Sequence, residues 1–110
     1  MIISNYVYHV TRKSKLSSII KRGIIPNIPT DWEDWSQPKA VYLFNSKAAA
    51  KEGAIVWIYP RYKKGTKLVI LTISSKGINI FPSDPEDKGG WELISLSTIP
   101  PKNIIKIEDV

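Results

Sequence analysis

Cysteine is absent from this 110-residue chain, which excludes disulfides, zinc–thiolate sites and thiol nucleophiles. Histidine is nearly so. The single one, His9, leaves no imidazole cluster from which a histidine-based metal site is built, so the expectation is chemistry without a metal. Long apolar runs are also missing: the longest lies around Leu68–Ile73, far short of the roughly 20 residues of a membrane-spanning helix. The opening MIISNYVYHV has neither the basic start nor the small-residue cleavage site of a signal peptide, and the expected location is the cytoplasm. Acids are scarce, 10 against 16 lysines and arginines, and the net charge of +6 favours polyanionic partners. The basic residues are scattered except in three clusters, Arg12–Lys15, Lys21–Arg22 and Arg61–Lys67.

What is present fits one soluble domain over residues 1–110, with 43% hydrophobic and 24% charged residues and a length sufficient for one modest core. Tyr6–Pro26 (YVYHVTRKSKLSSIIKRGIIP) organises the reading. Val7, His9 and Thr11 alternate with Tyr6, Tyr8 and Val10 as in a strand, and Leu16, Ile19 and Ile20 then take helical spacing. Ser14 is the expected cap of that helix and Gly23 its stop. The helix start, just beyond His9 and Thr11, is a ready place for an anion such as phosphate.

Residues 25–39 (IPNIPTDWEDWSQPK) follow neither period and read as a long ordered loop, in which Trp32 and Trp35 either fasten the loop to the body or form a substrate-facing lid. Val41–Phe44 predicts a short strand, Ser46 a cap, and Lys47–Glu52 a short helix ended by Gly53. Ala54–Tyr59 (AIVWIY) and Lys67–Ser74 (KLVILTIS) read as the strongest strands, buried and central on their β-branched content. Weaker strands are expected over Gly77–Phe81, Trp91–Leu96 and Asn103–Ile107, the last at a sheet edge, with a breaker-rich loop at Pro82–Gly90. The order β-α-β-α followed by strands predicts an α+β fold of about six strands and two short helices.

The residues Tyr8-His9-Val10-Thr11, then Ile20-Lys21-Arg22-Gly23-Ile24-Ile25-Pro26, then Tyr42 before Ala48–Ala50, and finally Glu92, come in the order of a known pattern. In this the chain resembles the diphtheria-toxin-like His-Tyr-Glu branch of the ADP-ribosyltransferase fold, over most of its length. The same opening is similar to those of RNA 2′-phosphotransferases and of enzymes that ADP-ribosylate DNA bases. The close of the chain, Ile99 to Ile104, is similar to that of small members of the superfamily. The resemblance implies a split or bent sheet, NAD as substrate, and a protein or nucleic acid acceptor. A second stacking tyrosine found in toxins of this branch falls near Gly53, leaving Trp57 or Tyr59 to take its part. Gly90 stands two residues before Glu92, so the paired acids associated with arginine-directed transfer are missing.

The resemblance assigns catalysis to Glu92, Tyr42 and His9. Glu92 would face the positive charge that develops on the ribose as nicotinamide leaves; its bland alternative is a solvated strand glutamate. Tyr42 would stack on the nicotinamide ring, or else fill the core. His9 would bond a ribose hydroxyl with help from Thr11, or be a structural histidine. Arg12 would hold the pyrophosphate, or be a surface arginine. NAD binding thus falls to His9, Thr11, Arg12 and Tyr42. Two other functions compete: an inactive basic module that binds nucleic acid, and a small interaction or inhibitor protein docking through tryptophans.

Overall fold

In a computed structural model the described residues are 5–26, 39–58, 60, 62–83 and 92–110. Trp32, Trp35, Tyr59 and most of both long loops lie outside them. Six strands form one antiparallel sheet: β1 (Tyr6–Arg12), β2 (Val41–Phe44), β3 (Leu68–Ser74), β4 (Phe81–Pro82), β5 (Glu92–Ser95) and β6 (Ile104–Asp109). Their spatial order is β4-β5-β2-β1-β3-β6, so β3 is flanked on both sides and β6 is an edge, as their sequences predict. With the helices α1 (Leu16–Arg22) and α2 (Lys47–Gly53), this is an α+β fold.

Strand alternation divides the core between the two faces. Val7, Val41, Leu43, Val69, Leu71, Ile73 and Leu93 meet Ile19 of α1 together with Ile24, Ile80 and Ile99. On the other face Val10, Phe44, Leu68 and Ile70 meet Ala50 and Ala54. Alanines let α2 lie close to the sheet, and Gly53 lies closer still: a Cβ there would stand 2.6 Å from the Phe44 ring. The place at which the resemblance expects a second stacking tyrosine is thus filled by the ring of Phe44.

The sheet is nearly divided in its middle. β1 pairs with β3 along its whole length, from Tyr6 opposite Ser74 to Arg12 opposite Leu68, whereas its ladder with β2 has one rung, Tyr8 opposite Phe44.

Four local expectations are corrected. Gly53 does not end α2, which runs on past it, and the strand expected over Gly77–Phe81 begins only at Phe81. Ala54–Tyr59 does not begin a strand; Ala54–Ile58 prolongs α2 as a π-helical turn, with the Ala54 N–H donating to the Ala50 and Lys51 carbonyls. Ala54 is buried while Ile55 and Val56 are exposed, so continued helical bonding overrides their β propensity. Ser14 does not cap α1. The chain leaves β1 through a 3₁₀ turn at Lys13–Lys15, and Lys15 occupies the cap position without a side-chain bond. Ser46 does cap α2, accepting from the Ala49 N–H at 3.1 Å. Gly23 does end α1, with φ of 81°.

Candidate functional site

The seam between β1 and β2 is where His9 acts. Past the one Tyr8–Phe44 rung, its ring Nδ1 lies 2.8 Å from the Tyr42 carbonyl oxygen, a side-chain bond in place of a ladder bond. A carbonyl only accepts, so Nδ1 carries the proton and donates. Burial pushes the His9 pKa down, outweighing the upward pull of the Tyr42 bond. The imidazole is therefore neutral at pH 7, and Nε2 is left with a lone pair that can accept a hydroxyl proton.

That neutrality has a stability signature. Between the lowered folded pKa and 6.5 the unfolded chain binds a proton that the folded chain does not, so stability is full above pH 6.5 and falls as pH drops. Urea midpoints are expected to be lower at pH 5.5 than at pH 7.5, and His9→Gln to flatten the difference, His9 being the chain's only histidine. A wild-type midpoint independent of pH over this range would contradict the assignment.

Tyr42 and Glu92 share a face. β2 pairs with β5 so that Tyr42 opposes Ile94 and Phe44 opposes Glu92, which makes Tyr42 and Glu92 diagonal neighbours. Both are half-buried. The Tyr42 pKa is raised, first by burial and then by the negative charge of Glu92, so the phenol keeps its proton and remains a donor. By the same alternation His9 and Thr11, opposite Leu71 and Val69, belong to the other face of β1. His9 joins Tyr42 through the backbone of the seam.

Arg12 is on the Tyr42 face, with its guanidinium 5.1 Å from the centre of the Tyr62 ring. This cation–π contact draws it to the chain entering β3. Ser95, fully buried, is satisfied locally, its hydroxyl donating to the Ser97 carbonyl at 2.8 Å.

Sequence reasoning passed over Phe81. β4 pairs with β5 so that Phe81 opposes Ile94, the residue that Tyr42 opposes from β2. One row across three strands therefore reads Phe81, Ile94, Tyr42. Two strand spacings separate the outer pair by about 10 Å at the backbone. Ile94 is 9% exposed, whereas Phe81 is 47% exposed. Tyr42 and Phe81 thus flank Ile94 on one face of the sheet. Glu92, two residues from Ile94, is on the same face and diagonal to Tyr42. A two-residue strand has no readable period, so its facing was invisible before the register was known.

Among the described residues, no group of three or more His, Asp or Glu is placed to hold a metal ion, and no helix is long and apolar enough to cross a membrane. No protein-family model matches the chain, and a search of curated proteins finds no significant match.

Proposed function

We propose that this protein is an NAD-dependent ADP-ribosyltransferase that works in the cytoplasm and transfers ADP-ribose to a protein or nucleic acid acceptor. The observation that carries this reading is the row of Tyr42, Ile94 and Phe81 on one face of the sheet, with Glu92 diagonal to Tyr42; in this reading Tyr42 and Phe81 are the walls of a slot for one flat ring and Glu92 stands at its end. Aromatic faces suit the flat, cationic nicotinamide ring. As the ring leaves with the electrons of its bond to the ribose, it becomes neutral and positive charge appears on the sugar. Glu92 then stabilises the transition state more than the bound substrate. His9, on the other face, holds the β1–β2 seam through the Tyr42 carbonyl and positions Tyr42 rather than touching the ribose, and Arg12, on the face of Tyr42, meets the pyrophosphate. A nucleophile of the acceptor completes the transfer by bonding to the ribose carbon and losing its proton.

Nicotinamide release from NAD⁺, followed chromatographically with cell extract, RNA or DNA as acceptor, tests this. Release by the wild type is expected, and Tyr42→Ala and Phe81→Ala are each expected to raise KM about tenfold, the loss of one stacking face. A folded wild type that neither binds NAD⁺ by calorimetry nor releases nicotinamide with any acceptor would overturn the reading.

A further inference from the structure

Two of the three basic clusters in the sequence are neighbours in space. β1 and β3 pair to Arg12 opposite Leu68, and beyond that rung the Lys13 N–H donates to the Lys67 carbonyl at 2.9 Å. The chain leaving β1 through Lys13–Lys15 therefore runs beside the chain entering β3 through 62–67. Arg12, Lys13, Lys15, Lys63, Lys64 and Lys67 gather at one end of the sheet, and all five lysines are exposed. Asp109, 3.4 Å from Lys13, offsets part of this charge. Within this group stands a half-buried aromatic ring, Tyr62, with Arg12 over it. The third cluster, Lys21 and Arg22, is at the far end of α1.

From this juxtaposition we propose that the ridge made by Lys13–Lys15 and Tyr62–Lys67, beside Arg12, binds the phosphate backbone of a single-stranded nucleic acid. Closely spaced cations along two adjoining segments match a run of phosphates, and cations interleaved with an aromatic ring are the pattern on which unpaired bases stack. The proposal deepens the preceding one by naming the acceptor class. Arg12 lies four residues from the Tyr8–Phe44 rung, on the face of Tyr42 and toward the end where β2 begins, which is about 13 Å along the strand. A strand held on the ridge thus passes within two or three nucleotides of the slot.

The test is fluorescence anisotropy with labelled 20-nucleotide single-stranded RNA and DNA, without NAD, from 50 to 300 mM NaCl. Contact with four to six phosphates predicts a slope of log K against log salt of about −3 to −4. The triple change Lys15→Gln, Lys63→Gln, Lys64→Gln should weaken binding at least tenfold at 100 mM salt and make the slope shallower by about 2. Lys21→Gln with Arg22→Gln, on the far cluster, should leave the slope within one of wild type. Circular dichroism confirms the fold of each variant. Binding absent or insensitive to salt, an equal loss from the far-cluster variant, or binding to phosphatidylserine vesicles but to neither oligonucleotide would overturn the proposal. Because no turnover is needed, loss of nicotinamide release with binding intact would sink the enzymatic reading alone. A preference between the RNA and DNA arms identifies the acceptor.

Discussion

Replacing Glu92 with glutamine should lower nicotinamide release by ~10²–10³-fold while leaving the fold and NAD⁺ affinity nearly unchanged. Glutamine keeps the size and hydrogen-bonding reach of the side chain and removes only its charge. At the end of the slot that charge has little to do in the ground state, where the cation is on the pyridinium ring stacked between Tyr42 and Phe81. It acts when the bond to the ribose lengthens and the positive charge moves onto the sugar, so its loss falls on kcat more than on KM. The same substitution removes the charge that, after burial, raises the Tyr42 pKa, so the phenol should titrate at lower pH in the variant. Ultraviolet titration of Tyr42, with Tyr42→Phe as the blank, reads this directly. It separates a carboxylate facing the slot from a solvated one on a strand edge. Unchanged kcat together with an unchanged Tyr42 titration would remove Glu92 from the site.

How far the sequence foretells this arrangement depends on the length of each element. β1 is legible because every second residue reports on the same face, and β3 because its unbroken β-branched apolar run suits a strand covered on both faces. The capping serine of α2 and the terminal glycine of α1 are legible because one local bond or one dihedral angle demands them. AIVWIY misleads: its β-branched residues suit a strand, yet the preceding helix continues through Ala54–Ile58, with Ala54 and Ile58 packed on the core and Ile55 and Val56 exposed. The seam between β1 and β2, on which the His9–Tyr42 bond depends, leaves no trace in either strand's own residues, since it is a property of register. For the same reason the sequence offers Tyr42 and Glu92 but not Phe81, and gives three basic clusters without the pairing that joins two of them.

Gly23→Ala should cost about 3–5 kcal/mol, a large fraction of the 5–15 kcal/mol that holds a typical domain folded. Gly23 ends α1 with φ of 81° and ψ of −172°, a backbone region that essentially only glycine occupies, at about 1–3 kcal/mol for another residue. The site is also crowded. An added Cβ would press into the Ile99 carbonyl and lie 3.2 Å from Pro101 Cδ. That carbonyl accepts from the Ile24 N–H at 2.9 Å, and Ile99 N–H returns the bond to the Ile24 carbonyl at 2.9 Å. Moving Ile99 away loosens both, at roughly 0.5–1.5 kcal/mol each. It also disturbs Ile24 and Ile99, which are packed in the core against Ile19 and Val7. Gly77→Ala is the control, because Gly77 has a similar φ of 77° with open space where the Cβ would go. Its cost should be only the backbone strain, about 1–2 kcal/mol. Thermal unfolding should therefore show Gly23→Ala losing at least ~10 °C and Gly77→Ala clearly less. Equal losses would mean that the bridge between Ile24 and Ile99 does not pin α1 to the sheet, and that the strand-to-helix unit carrying His9 is held by packing alone.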